Sequence, residues 1–497
     1  MNMVDGLKHL NTVEEYPFKR DAYYKLKKVI DEGTYHIIGL TGPRRCGKTI
    51  IFKQLKETYG DKAVYINCKR ESEDSIDEVF VRIYKDEPGM IFLLDEVTYI
   101  DNFDAYIGAL DSELHHATVV VTGSQSAAIS RMLSLNFASM AYDYKIGFLT
   151  FNEYLRFIGK IDLGELRFNQ IFDFESLQGI NITEQDCYDF VYGGYSFNTA
   201  IQGMRSYLKG CLDETVQSCK TSMQGLGNYL VKDIEVPNII TVMYAILFKL
   251  HNNISTDKLM TGGLYHAEKH YLKIEQGIRL NSEVYESTVS SLLKQYYLTA
   301  TNYDSTLLRK CIAFLRECDL IIFTLHYPEG QSRMKVLQWL NGDIAMSFDE
   351  VMSICNITFK YPNFVSICLR ELNEKIENMG IRKESLLTRG ILGSIIECEV
   401  KRYMSVISES RFIYDLFRES SNTERPAEVD YYDPILSLAV EITVKNKSVK
   451  DTHFDKFECS RDAIRILLSK DKLDVLDNGI IRIPYYTFLA IISSSVI

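Results

Sequence analysis

The sequence predicts an α/β protein whose first half is built on a parallel sheet with helices on both faces. Three observations predict it. "HIIGL" is a short apolar run followed by the glycine-rich "GPRRCGKT" and by the helical spacing of Ile51, Phe52 and Leu55. "GMIFLLDEV" is a second apolar run, closed by Asp95 and Glu96. "ATVVVTGSQSA" is a third, with "KAVYINCKR" beside them as a fourth. Short apolar runs separated by helical patterns are what strands buried between helices look like.

The first element carries a chemical motif. "GPRRCGKT" fits G-x4-G-K-T on Gly42, Pro43, Arg44, Arg45, Cys46, Gly47, Lys48 and Thr49. Glycines let backbone N–H groups curl around phosphate oxygens, and the following helix N-terminus adds partial positive charge. Lys48 is expected at the β and γ phosphates and the Thr49 hydroxyl on Mg2+. Arg44 and Arg45 are read as phosphate contacts, subunit contacts or solvated loop charge. The second element, 46 residues after Thr49, supplies the acids: Asp95 to hold a Mg2+-bound water and Glu96 to polarise the attacking water. On the third, Thr122, Ser124 or Gln125 is placed to sense the γ phosphate. The expected cofactors are therefore ATP and Mg2+.

Length and composition bound the rest. The chain has 497 residues, enough for about three or four domains. It is 46% hydrophobic and 25% charged with nine Pro, a globular composition. A net charge of −11 argues against non-specific nucleic-acid binding by the whole surface. None of the eleven Cys forms a CxxC, the N-terminus has no signal-peptide pattern, and no apolar run nears the roughly 18 residues of a membrane span. Reduced, buried thiols and a soluble, cytoplasmic protein are the expectation.

In order along the chain, "LTGPRRCGKT", "LLDEV", "VVTGSQS", "FLTFNEYL", "VYGGYSF" and "YLVKDI" resemble the prokaryotic AAA-type P-loop ATPases with a C-terminal winged helix and a PD-(D/E)xK-like domain. Ser196 stands where that family's GG-aromatic element has Pro. The resemblance implies an ATPase core over 1–158, a helical lid over 159–235, a winged-helix domain over 236–332 and a nuclease-like domain over 333–497. It also exposes a gap. The family's Gly-Arg pair before the "FLTFNEYL" segment is missing, with no Arg between Arg131 and Arg156. Either Arg131 replaces it or turnover is slow, since such an arginine contributes on the order of 10^3-fold or more.

The later segments carry weaker signals. "LLRKCIAFLREC", then "LIIFTL" and a Pro-Glu-Gly turn, read as the last helix and wing of a winged helix, with Arg309, Lys310 and Arg316 as the cations a DNA contact would use. "YHAEKH" lacks the HExxH order and is read as a solvated helix face. "RGILGSIIECEVKRYM" is helical and bears Glu397; Asp430 and Glu441 lie on expected strands. The resemblance makes Asp430 and Glu441 a second Mg2+ site, with Glu397 as the helix carboxylate. Thr443 occupies the lysine position, and period-2 alternation would put Lys445 on the same side as Glu441. "RDAIRILLSKD" and "IIRIPYYTFLAII" are expected to close the unit as helix, strand and helix. The leading expectation is a nucleotide-driven switch or motor. A nucleotide-gated, DNA-binding nuclease and a nucleotide-stabilised scaffold are the alternatives, with the protein client and the oligomeric state left open.

Overall fold

The computed structural model describes residues 17–494 except 70–72, 86–88, 101–116 apart from 103 and 106, 125, 127–128, 131, 134–140, 163, 165, 167, 193–203, 219–232, 252–281, 329, 362–363, 366, 369–370, 373–388, 408–411, 419–426, 445 and 448–451. The "VYGGYSF" glycines, most of "YLVKDI", "YHAEKH", Gln125, Arg131 and Lys445 therefore lie outside the described residues.

Helix α1 (Asp21–Glu32) leads into β1 (Ile37–Thr41), α2 (Lys48–Tyr59), β2 (Ala63–Asn67), α3 (Glu73–Tyr84), β3 (Ile91–Asp95), β4 (Thr118–Thr122) and β5 (Ala141–Lys145). These strands form one parallel sheet in the order β2-β3-β4-β1-β5. Alternation sets its two faces. Ile38, Leu40, Leu93 and Val120 pack with Leu26, Phe52 and Leu55; Ile37, Phe92, Val119 and Val121 pack with Ile76, Val79 and Phe80. All five residues of β1 and of β3 are buried, as the unbroken apolar runs predicted. The polar edge strand "AYDYK" has no such run, and the sequence left it unassigned.

Next come α4 (Phe151–Phe157), α5 (Phe174–Gln178), α6 (Glu184–Tyr192), α7 (Met204–Ser218), α8 (Val236–His251), α9 (Ser282–Thr301) and α10 (Ser305–Glu317). Helix α4 starts at a capping box: Thr150 accepts from the Glu153 N–H, and the Glu153 carboxylate accepts from the Thr150 N–H. Asp304 caps α10 by accepting from Thr306 and Leu307 N–H at 2.9 and 3.0 Å.

The remaining elements are β6 (Ile321–His326), α11 (Ser332–Asn341), α12 (Phe348–Ile354), β7 (Cys355–Phe359), α13 (Arg389–Ile407), β8 (Ile413–Arg418), β9 (Ala427–Asp433), β10 (Leu438–Glu441), α14 (Glu458–Arg461), β11 (Ile464–Ser469), β12 (Asp474–Val475), β13 (Ile481–Pro484) and α15 (Tyr485–Ser494). They build an eight-stranded mixed sheet, β12-β13-β11-β10-β9-β8-β6-β7.

Three expectations are corrected here. First, β6 is not a wing: it lies inside this sheet, parallel to β8 and antiparallel to β7, so a boundary at 332 would cut one sheet in two. Arg309 and Lys310 of α10 point inward. Arg309 lies against Gly342, and Lys310 pairs with Asp233 at 3.2 Å. Second, "RDAIRILLSKD" is mostly strand. Its last four strand residues are buried between β10 and β13, which overrides the helical spacing of its charges. Third, β10 ends at Glu441, so the alternation that placed Lys445 beside Glu441 does not continue.

The C-terminal helix α15 is apolar on most sides and almost wholly buried. It packs on the sheet, as expected, and also on α4 of the first unit, where Asn152 N–H donates to Ser493 Oγ at 3.0 Å. One continuous apolar core thus runs from α1 to α15. Among the described residues no helix is long and apolar enough to cross a membrane, and the ten cysteines are free thiols.

Replacing Asp304 by Ala removes both bonds at the start of α10. We expect a loss of about 1 kcal/mol in stability, read from the shift of the urea midpoint.

Candidate functional site

The chain turns at the C-terminal end of β1 through residues that need unusual backbone angles. Gly42 (φ 152°) and Gly47 (φ 100°) lie in the left-handed half of φ space, and Arg45 (φ 64°) joins them. A Cβ on Gly42 would stand 2.0 Å from the Ile146 carbonyl oxygen, so no larger residue fits there. Ser126 closes the loop from β4's side, accepting from Gly42 N–H at 2.6 Å and donating to Gly42 O at 2.5 Å.

Lys48 opens α2 and is buried. Its ammonium donates to the carbonyls of Gly42 and Pro43, both at 2.9 Å, which holds the charge inside the loop. The next residue reaches across β4 to β3: Thr49 Oγ1 donates to Asp95 Oδ2 at 2.9 Å. Tyr65 from β2 donates to the same oxygen at 2.9 Å. Burial, and then the neighbouring Glu96, hold the Asp95 carboxyl above its ordinary range, while Thr49, Tyr65 and Lys48 pull it down.

Glu96 sits just past β3 with φ 57°. A non-glycine residue in that region is strained, and such strain concentrates at functional sites. The turn aims its carboxylate at the tip of β4. There Ser124 donates to it from its N–H at 3.0 Å and from its hydroxyl at 2.9 and 2.8 Å.

The two arginines of the loop part company. Arg45 is exposed. Arg44 lies against helix α7, where a Cβ on Gly210 would stand 1.8 Å from Arg44 Nη1; Tyr207 donates to the Arg44 carbonyl at 3.4 Å.

Sequence reading missed the groups that brace this loop. Asp143 on β5 accepts from Thr41 Oγ1 at 2.7 Å and from Ser130 Oγ at 2.6 Å. Arg20, 26 residues before Cys46, donates to the Cys46 carbonyl at 2.7 Å. No local pattern announces either residue, because each contact joins segments that only the fold brings together.

Residues 34–155 match the model of an AAA domain. This segment is similar to AAA-type P-loop domains. The match covers the whole parallel sheet, from β1 to β5, and nothing beyond α4. Among solved structures the chain is similar to the Walker-type ATPase PABY2304 of Pyrococcus abyssi, at 13% identity and a TM-score of 0.31, over 61% of this chain and 91% of that one. The comparison with curated proteins found no match.

The loop fits ATP with Mg2+. Its ammonium is met by two loop carbonyls and the Cys46 sulfur and by no carboxylate among these contacts, and the Thr49–Asp95 pair offers the hard oxygen donors that Mg2+ prefers.

The second set of expected site residues gathers in the mixed sheet. Burial first and the Glu397 carboxylate next push Asp430 up to about 7; the Ile442 N–H and Lys401 oppose, and Glu441 adds to the rise. The Ile442 N–H donates to Asp430 Oδ2 at 2.6 Å. Glu441 is buried, accepts from His453 N–H and pairs with Lys447 at 3.4 Å. Lys401, buried on α13, pairs with Glu397 at 2.5 Å. Glu397 and Glu441 thus both lie close enough to Asp430 to act on it. Lys401 and Lys447 are the cations found beside them, and sequence reading missed both. Among the described residues no group of three or more His, Cys, Asp or Glu is arranged to hold a metal ion.

A carboxyl held above its unfolded-state value binds more protons folded than unfolded, so its effect on stability worsens as pH rises toward 7. In metal-free buffer, Asp430→Asn should stabilise the chain at pH 8 by about 1–3 kcal/mol, the cost of burying an under-compensated polar group. Near pH 4 it should change little. Urea titrations at the two pH values read this directly.

Proposed function

We propose that this chain binds ATP with Mg2+ in the loop Gly42–Thr49 and hydrolyses it, using nucleotide state to bias its C-terminal unit. One observation carries the reading. Lys48, Thr49, Asp95, Glu96 and Ser124 converge at the C-terminal ends of β1, β3 and β4, the crevice where open α/β sheets take ligands.

The residues divide the work. Loop amides and the Lys48 ammonium hold the triphosphate, with the α2 N-terminus adding partial positive charge. Thr49, and Asp95 through a bound water, would hold Mg2+, which would supply neutralising charge at the phosphates. Glu96 orients and deprotonates the attacking water, and Ser124 fixes where that carboxylate points. Arg131, the candidate for a transition-state arginine, belongs to the same reading.

A second reading has its own observation. Helix α13, the antiparallel strands β8, β9 and β10, and then β11 parallel to β10 follow the restriction-endonuclease-like order. Glu397 and Glu441 both act on Asp430 on that frame, with Lys401 as the nearby cation. The reading is a nucleotide-gated, Mg2+-dependent nuclease with DNA as substrate, and it requires the acids to draw closer together on binding, because among the described residues no three of them are arranged to hold a metal ion.

Two variants test the first reading. Lys48→Ala should weaken ATP·Mg binding about 30- to 100-fold, the equivalent of about 2–3 kcal/mol for a charge-assisted contact. Glu96→Gln should keep binding and lower the hydrolysis rate by about 100-fold or more. Calorimetry and phosphate release measure the two effects. Unchanged binding in Lys48→Ala would contradict the assignment of the loop. For the second reading, wild type should cleave DNA with Mg2+ or Mn2+ in an ATP-dependent way, and Asp430→Ala should abolish the cleavage. Cleavage that survives the substitution comes from elsewhere.

A further inference from the structure

Arg20 stands at the N-terminal end of α1 and connects three places far apart in sequence. Its Nη1 donates to the Cys46 carbonyl at 2.7 Å and to the Gly147 carbonyl at 2.9 Å. Its Nε and Nη2 donate to the Glu153 carboxylate at 3.1, 3.2 and 2.6 Å. Glu153 is itself buried and also accepts from the N–H groups of Thr150 and Asp21, both at 2.9 Å. Planar, multidentate guanidinium geometry makes this a rigid bracket rather than a loose ion pair.

The bracket bears on the phosphate loop directly. Cys46 lies between the residues whose N–H groups must face a phosphate. Holding its carbonyl outward on Arg20 keeps acceptor oxygen out of the anion cradle.

The same bracket meets the C-terminal unit one residue further on. Arg402 of α13 donates from Nη2 to the Phe148 carbonyl and from Nη1 to Glu399 at 3.0 Å. Its guanidinium lies 4.8 Å from the Tyr361 ring centroid and 5.0 Å from that of Tyr403. Tyr403 Oη in turn accepts from Phe151 N–H at 3.0 Å. Consecutive carbonyls, Gly147 and Phe148, are therefore each gripped by an arginine. A side chain here would press on the second grip, since a Cβ on Gly147 would stand 3.0 Å from both Arg402 Nη2 and Tyr361 Cε1.

We propose that Arg20 is a positioning residue for the phosphate loop, and that the Gly147–Phe148 segment, held between Arg20 and Arg402, couples nucleotide affinity to the packing of the C-terminal unit. This rests on the reading that the loop binds ATP. Coupling is reciprocal: a change at Arg402, whose hydrogen bonds go to Phe148 and Glu399, alters ATP affinity, and ATP alters the protection of α13.

The test uses the full chain. ATP·Mg affinity is measured by calorimetry for wild type, Arg20→Lys, Arg402→Lys and the double variant, with hydrogen exchange followed over 389–407. Each single variant should weaken ATP about fivefold or more. The double variant should weaken it by less than the product of the two. ATP should slow exchange in α13 of wild type but not of Arg20→Lys, and KM should rise more than kcat falls. A merely structural role for Arg402 would lower stability and leave ATP affinity as in wild type, which overturns the coupling. So would single effects that multiply. Gly147→Ala presses a methyl against Arg402 and Tyr361 without removing a charge, and it serves the same test if Arg402→Lys does not fold. A wild-type chain that binds no ATP·Mg overturns the nucleotide reading itself; a chain that binds but shows independent variants overturns only this proposal.

Discussion

The hydrogen bond from Thr49 Oγ1 to Asp95 Oδ2, 2.9 Å long, is the constraint on which the rest of this structure turns. The two residues belong to the first turn of α2 and the last residue of β3, and β4 runs between their strands. For the bond to form, the loop after β1 must bend over β4, which requires glycine at 42 and 47 and leaves the Lys48 ammonium folded inside. The strand between then contributes through its tip, where Ser126 closes the loop and Ser124 holds Glu96. Each feature of the site follows from joining those two ends across a strand.

Much of that arrangement was legible in the sequence because its signals are local. A glycine spacing, two acids after an apolar run and a hydroxyl-rich strand end each specify their own backbone within a few residues. The bracing was not legible. Arg20 and Glu153 are 133 residues apart, and nothing in "FLTFNEYL" says that its Glu153 binds Arg20. Strand β5 was missed because its residues are polar and aromatic at a sheet edge. In the C-terminal unit the misreadings share one cause, that strand partnership is non-local. β6 looked like a wing beside its own helix until β8 and β7 claimed it. β11 looked helical until its burial between β10 and β13 decided the matter.

The cations tell a similar story. Arg309 and Lys310 read as a DNA-facing pair, yet packing turns them inward, against Gly342 and Asp233. Lys401 was one residue among many on a helix, yet it is the buried charge beside Glu397. Charge on a helix has meaning only after its face is known. The continuous core from α1 to α15 gives that point functional weight, because the two sheets meet through well-packed side chains and bonded carbonyls. Packed interfaces of this kind shift between discrete arrangements rather than deforming smoothly.

The central claim is that Thr49 and Asp95 form the metal side of a triphosphate site. A crystal grown with a non-hydrolysable ATP analogue and Mn2+ in place of Mg2+ tests it most directly. The account predicts an anomalous peak beside Thr49 Oγ1 and on the Asp95 side of the loop, with the γ phosphate against Lys48. A nucleotide seated elsewhere, or a loop that stays closed on its own lysine with no metal peak, would contradict it.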